Sequence, residues 1–424
     1  MALMSSFFKG KKSTPPVIKA GDDLSLETLK QLIPIRNLSD DKLESFVLEH
    51  KSEALSKGQI LFNINEATKT AIYLLKGTVS LSDENGKSFN INASEIKAKF
   101  PLSSGLKYTT TAVAKSDINI LRVSQKIMSI NLEKHNISEL IIPEHLKHNR
   151  LLHAFSEYFV DNELEVPSLP SIAIQLRKAM QNEIGISEAV KIIQLDPVIS
   201  AKLIEVANCP LYVFLTPAKS CFEAVKRIGL NATRSLVISL SIKNIFSSKS
   251  RLIAKHLDHQ WRNSIYLSSL SFVLASASKQ CNPEEALLAG LVADIGSIPF
   301  LNFVANLPAD FYNEEEIEQA IPVVKGVVGA AILEDWGFTD DFIKVPLLSE
   351  DWYQHSDGPI TYSDIVVLSR LHSKIGKNLT NLPAITSIPA ASKLKSITLS
   401  PENSLSILHN AKDKINETLK TFSS

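Results

Sequence analysis

Residues 286–300, ALLAGLVADIGSIPF, hold a single charged side chain, Asp294, inside an otherwise apolar run. The segment ahead of it, Asn282-Pro283-Glu284-Glu285, is a helix start. It offers a side-chain cap, a proline with its φ preset for the first turn, and acids at the positive end of the helix dipole. A carboxylate in such a stretch costs free energy unless something pairs with it or coordinates it. Asp294 is therefore half of a metal site, a remnant of one, or a structural hydrogen-bonding group.

The chain is long enough, at 424 residues, for two or three domains. Lys plus Arg and Asp plus Glu both number 45, so no net field draws it to nucleic acid or anionic lipid. Lys9, Lys11 and Lys12 form a short basic cluster, read as part of a flexible tail over residues 1–25, with a weak membrane contact as the alternative. Cys209, Cys221 and Cys281 are too scattered for a disulfide framework and lack the paired spacing of a zinc site. No run reaches the roughly 18 uninterrupted apolar residues of a membrane span, and the start has no signal-peptide core. The expectation is a cytoplasmic protein without membrane contact.

The texture changes along the chain. Leu26 to Leu48 has helical spacing, with Leu29, Leu32, Leu43, Phe46 and Val47 as apolar contacts. QILFNI, AIYLLKGTVSLS, KSFNIN, TTTAVA and DINILRV are then short, β-branched and partly alternating, and Asn85-Gly86 marks a hairpin. These segments predict a small barrel or roll, so that 26–130 forms a β-domain with flanking helices. Ile130 to Asp161 reads as a helical connector (131–160), and 161–374 as an all-α domain. Residues 380–399 look like loop within a 375–424 tail that ends in a helix opening at Ser400-Pro401. Within the helical part, Ser187 is expected to cap EAVKIIQL, Asp196-Pro197 to open VISAKLIEVAN, and Ser220 to Glu223 to form a capping box closed by Gly229. The fold class is α+β multidomain.

Two blocks carry a family resemblance. LPSIAIQLRKAM, IIQLDPVISAKLIEVANCPLYV and KSCFEAVKRIGLNATRSLVISLS resemble the HDOD domain of bacterial signalling proteins. The marks are Leu169-Pro170, Asp196-Pro197, Ala207-Asn208, Tyr212, Ala224 and Gly229. The downstream part resembles the HD phosphohydrolase superfamily. KGQILFNINEATKTAIYLLKGTVSLS is similar to the cyclic-nucleotide-binding β-roll, with Gly58, Phe62, Tyr73, Leu74, Gly77 and Val79 at that family's turns and core.

The HD resemblance implies a metal site built from a His, an adjacent His-Asp pair, a later His and a final Asp. Such donors converge on an ion that acidifies a bound water. Here those positions read Asn263, Ala293-Asp294, Lys325 and Ser369-Arg370, so one ligand remains. Lys325 and Arg370, pointing inward, would repel a cation. The expectation is no catalytic residue, no metal and no cofactor, with Asp294 held structurally by Asn263, Arg262 or backbone N–H groups near Gly296. His256 with His259, and His145 with His148, are three apart on expected helices, but each pair lacks a third ligand nearby in sequence.

The β-roll resemblance implies a phosphate cassette with a Gly-Glu and an Arg. The matching segment, AKFPLSSGLKYTTTAVAKSD, has no Gly-Glu and places Tyr108 at the Arg position. Lys97, Lys99 and Lys107 leave positive charge there without the planar fork that grips a phosphate. A degenerate, structural or partner-binding roll is expected, an unrelated small-molecule ligand staying open.

The resulting functional expectation is a non-catalytic bacterial regulatory protein that acts on other signalling proteins. A divergent metal-dependent phosphohydrolase is the alternative. A helix-turn-helix in FEAVKRIGLNATRSLVISLS is disfavoured, because its second helix is mostly apolar, with Arg234 and Lys243 its main charges, and no DNA partner is expected.

Overall fold

The computed structural model describes residues 19–38, 40–67, 70–84, 86–103, 107–124, 140–160, 171–180, 184–209, 212, 216–242, 246, 250–308, 311–354, 358–374, 382–395 and 406. The chain divides into two compact units between Ser124 and Gln125.

The first unit carries helices α1 (Leu26–Leu29) and α2 (Asp40–Glu49) and eight strands. These are β1 (Lys19–Ala20), β2 (Glu53–Leu55), β3 (Ile60–Phe62), β4 (Thr70–Lys76), β5 (Thr78–Ser82), β6 (Ser88–Asn92), β7 (Thr111–Ala114) and β8 (Ile118–Ser124). They form two four-stranded sheets in the orders β1-β2-β8-β4 and β3-β7-β5-β6, with antiparallel pairing throughout. Leu55, Phe62, Ile72, Leu74, Val79, Leu81 and Ile120 fill the core they share. Ala71, Ile72, Tyr73 and Leu74 are buried, so this part of β4 is covered on both faces, and the Tyr73 hydroxyl donates to the Ile33 carbonyl at 2.9 Å. That bond ties the helical lead-in to the strand.

Gly77 separates β4 from β5 with φ +87°, and a Cβ there would meet the Asp117 carbonyl oxygen at 2.4 Å. Only glycine fits. The β5–β6 hairpin pairs Ser82 with Ser88. Its turn has Gly86 at φ +78° and an Asp83 carboxylate accepting from the Lys87 N–H at 2.9 Å. Asn85, half of the expected turn signal, lies outside the described residues, and β1 and β2 are strands the sequence patterning did not mark.

The second unit is helical: α3 (Arg150–Val160), α4 (Ser171–Met180), α5 (Ile186–Ile193), α6 (Pro197–Ala207), α7 (Cys221–Ile228), α8 (Leu230–Ile242), α9 (Arg251–Ser278), α10 (Pro283–Val292), α11 (Ser297–Ala305), α12 (Glu314–Asp335), α13 (Asp340–Leu348), α14 (Tyr362–Lys374) and α15 (Pro389–Ser392). One apolar core spans α3 to α14. A smaller cluster joins α14, α15 and the residues between Leu382 and Leu394 to α9 and α10. The stretch expected as loop, 380–399, therefore contains a short helix and a 3₁₀ turn at Ile385–Ser387. The final helix expected from Ser400-Pro401, Ser406 apart, and the basic Lys9–Lys12 cluster lie outside the described residues.

Several local rules hold. Asp196 accepts from the Val198 and Ile199 N–H groups, and Asn282 accepts from Glu285 at 2.9 Å. Gly229 ends α7 at φ +89°. Others need correction. Gly185 precedes α5 as its cap, and Ser187 lies inside the helix. Ser220 accepts from Glu223 at 3.2 Å, but the Glu223 carboxylate reaches back to Lys219 N–H instead of closing the box on Ser220. His145 sits in a 3₁₀ turn, Glu144–Leu146, and His148 follows it outside any helix, so they share no α-helical face.

Two further features position the helices. Asn208 donates to the Ala218 carbonyl at 2.9 Å and accepts from its N–H at 2.7 Å. The family-like Ala207-Asn208 thus pins both ends of the following loop. In α9, the serines of SIYLSSLSF let α10 approach closely: Ser268 Oγ donates to the Leu287 carbonyl at 2.7 Å. A Cβ on Gly290 would lie 2.7 Å from Ser268 Cα. Helix α8 is buried along most of its length, with Asn231 exposed and Arg234 partly so.

Candidate functional site

The apolar run that opens the sequence is two helices, α10 and α11, broken by a turn at Ala293–Gly296 that carries Asp294. By length and composition Pro283–Ala305 would suit a membrane span, yet most of its apolar part is buried inside the helical unit. Asp294 faces the inner end of a cavity of about 350 Å³ between α9, α12 and α14. Asn263 and Lys325 line the same space, as do Arg370, Lys374, His256 and His259. Four of the five positions identified from the metal pattern therefore do converge. Ala293 does not; it packs into the apolar core, fully buried.

The chemistry there differs from a metal centre. Arg370 donates to Asp294 through both ends of its fork, Nη1 to Oδ2 at 3.1 Å and Nη2 to Oδ1 at 2.9 Å. Lys325 Nζ stands 2.9 Å from Asp294 Oδ1 and donates to Glu350 Oε1 at 2.8 Å. Arg370 also donates from Nε to the Ser349 carbonyl at 3.0 Å and from Nη2 to Ser349 Oγ at 3.2 Å, with Glu350 Oε1 3.4 Å from Nη1.

The side chains of Asp294, Lys325 and Arg370 are 7%, 9% and 8% exposed, whereas Glu350 is 37% exposed. Two cations and two anions thus neutralise one another at the inner end of the cavity. Burial by itself would raise the Asp294 pKa, but Arg370 and Lys325 outweigh it and hold the carboxyl well below the usual carboxylate range. Burial likewise opposes ionisation of Glu350, and Lys325 with Arg370 again win, keeping it lowered.

The expectation that Asp294 is a satisfied hydrogen-bonding group is thus met through different partners. Asn263, Arg262 and the backbone near Gly296 are replaced by Lys325 and Arg370, two positions read as mere losses from the metal set. Asn263 stands exposed on the cavity wall, and Arg262 pairs with Asp258 at 2.8 Å. Both Asp294 oxygens are engaged, and an ammonium and a guanidinium occupy the ground where a metal's charge would sit. The residues present do not fit the ion that the HD pattern implies. Among the described residues, no group of three His, Cys, Asp or Glu side chains could hold a metal.

Sequence patterning missed Glu350, Ser349 and Lys374. Nothing local marks them, since Glu350 reaches Lys325 across 25 residues.

Asp351, next to Glu350, is the site's titratable outlier. Its Oδ1 accepts from the Tyr353 N–H at 3.2 Å, but Oδ2 is buried without a hydrogen-bond partner. Burial pushes its carboxyl up to about 6, against the pull of the Tyr353 and Gln354 N–H groups. A raised native pKa means the folded state binds the extra proton between pH ~4 and ~6, so stability falls as pH rises through that window and stays lower above it. Asp351→Asn is expected to stabilise the protein by about 1–2 kcal/mol at pH 7 and to lose that advantage at pH 4. Urea denaturation at the two pH values checks this; equal gains at both would contradict it.

In the first unit, Tyr108 stacks on Phe62 with ring centroids 4.0 Å apart and is 6% exposed. The residue at the expected phosphate-binding Arg position is core. Lys97 and Lys107 are exposed and Lys99 is partly covered.

Residues 166–351 match the HDOD domain family. A solved Shewanella amazonensis structure, provisionally described as a metal-dependent phosphohydrolase, is 24% identical, covers 65% of this chain and 99% of its own, and superposes with a TM-score of 0.56. A Brucella abortus cyclic nucleotide-binding-like protein is 18% identical over 24% of this chain and 91% of its own, with a TM-score of 0.21. An uncharacterised Treponema pallidum protein is 21% identical over 223 residues. The match spans 50% of this chain and 42% of that relative's length.

Proposed function

We propose that this chain, which carries an HDOD domain at residues 166–351, is a non-catalytic regulatory protein of bacterial signal transduction. It acts by contact with other signalling proteins, and a β-roll of degenerate cyclic-nucleotide-binding type forms its N-terminal unit. The observation that carries the reading is the bidentate Arg370–Asp294 pair with Lys325 beside it. Those two cations saturate the one remaining carboxylate of the HD pattern, so a divalent ion would have to displace both. The stacked, buried Tyr108 supports the same view of the β-roll, since no guanidinium is there to grip a cyclic phosphate.

The rival reading, a divergent metal-dependent phosphohydrolase, draws on the fold shared with the Shewanella protein. Metal analysis of gently purified protein, with hydrolysis assays on nucleotides and cyclic dinucleotides, separates the two. The expected result is no stoichiometric metal and no turnover. Bound Mn, Fe or Mg together with a hydrolysis rate that Asp294→Asn abolishes would overturn the proposal. An affinity pull-down from the native cell, with mass-spectrometric identification, then names the partners.

A further inference from the structure

The salt-bridged quartet closes the inner end of the cavity; the space in front of it is a separate matter. Its charged lining is Lys325, Arg370 and Lys374 against Asp294 and Glu318. The acids differ in what they can still accept. Both Asp294 oxygens already take N–H bonds from Arg370, and Glu318 sits exposed on α12, where water screens it.

The donors are in the opposite condition. Arg370 spends its N–H groups on Asp294, Ser349 and Glu350. Lys325 spends two of its three on Asp294 and Glu350, which leaves one. Lys374 has no carboxylate or hydrogen-bond acceptor among the described residues; its Nζ lies 5.3 Å from the centroid of the Trp352 ring. It is partly buried, and burial, with Arg370 and Lys325 adding repulsion, lowers its pKa despite the pull of Glu350 and Asp294. The exposed Asn263 amide shares the wall without a described partner.

We infer that this cavity is a receptor site for a compact oxyanion, a carboxylate or a phosphate. Lys374 supplies the principal charge, and the spare N–H of Lys325 and the Asn263 amide supply flanking donors. An oxyanion there completes the unfilled donor capacity of Lys374 and relieves its repulsion from Arg370 and Lys325. The neutralised quartet acts as a rigid floor that offers a donor while its own acids are occupied. The HDOD unit would then be a ligand-responsive platform, with its signal entering where an HD enzyme keeps its metal. This inference does not depend on the absence of turnover, because the probes below have no bond to hydrolyse.

The test is isothermal titration calorimetry of the full chain with inorganic phosphate and, separately, with malonate, at constant ionic strength against a chloride control. Saturable binding of one or both, at one per chain, is expected, and the stronger probe identifies the source of the oxyanion. Lys374→Gln should weaken it by at least about tenfold, the loss of one charge-assisted contact. Asn263→Ala should weaken it less, and Lys255→Gln, on the exposed side of α9, should leave it unchanged. Asn263 is exposed, so its variant keeps the test valid should Lys374→Gln fail to fold. No saturable binding of either anion, or equal affinity in a folded Lys374→Gln protein, overturns the inference.

Discussion

Asp294→Ala lowers the stability of the helical unit by about 3–5 kcal/mol, the usual cost of leaving buried charge without its partner. For a unit of this size that corresponds to a fall in Tm on the order of 10 °C. The loss does not come from a cavity, since Ala removes few atoms. It comes from Lys325 and Arg370, 9% and 8% exposed, which are left facing each other with only the half-exposed Glu350 as counter-charge. Differential scanning calorimetry measures it, and a folded variant of unchanged Tm would refute the structural role.

A second variant isolates the cause. The quadruple change Asp294→Leu, Lys325→Met, Glu350→Gln, Arg370→Met should recover most of the stability, because it leaves no unpaired charge behind. The pH dependence has a definite sign. The native pKa values of Asp294 and Glu350 are depressed, so their stabilisation is present above the unfolded value near 4 and is lost as pH falls through the folded ones. Wild type should therefore lose more stability than Asp294→Ala between pH 5 and pH 3.

Gly296→Ala should be comparably damaging, on the order of 3 kcal/mol, for a steric reason. A Cβ at Gly296 would lie 2.2 Å from the Lys325 carbonyl oxygen and 2.4 Å from Gly329 N. Both are backbone atoms of α12, which cannot move aside as a side-chain tip can. The glycine has an ordinary helical φ of −65°, so conformational freedom is not the issue; contact distance is. That contact sets Asp294, two residues earlier, beside the turn of α12 that bears Lys325. Forcing the elements apart should therefore also loosen the ion pairs. Thermal unfolding combined with hydrogen exchange on α12 reads both effects. A Gly296→Ala protein with native Tm would show that the helices do not meet so closely.

Local chemistry was legible in the chain and the assembled site was not. Asp196, Asn282 and Gly229 announce helix ends because a cap joins groups two to four residues apart. Gly77 and the alternating runs around it announced strands for a similar reason, although β1 and β2, two and three residues long, carry too little pattern to detect. Ser187 misled because any Ser before an apolar run looks like a cap, while the helix had already started one residue earlier, at Ile186. The two blocks of family-like motifs correctly announced both units.

What the linear order of residues could say about the site was subtractive: set against the HD pattern it resembles, positions 263, 293 and 325 lack histidine and one carboxylate remains. It could not say that two of the replacements are that carboxylate's partners. Arg370 meets Asp294 across 76 residues and Glu350 meets Lys325 across 25, separations over which no periodicity or propensity operates. Only the packing of α11 against α12, with α13 and α14 alongside, brings these groups within 3.5 Å of one another. A charge in a dry interior is acceptable or ruinous according to what lies within that distance, and distance belongs to the folded chain alone.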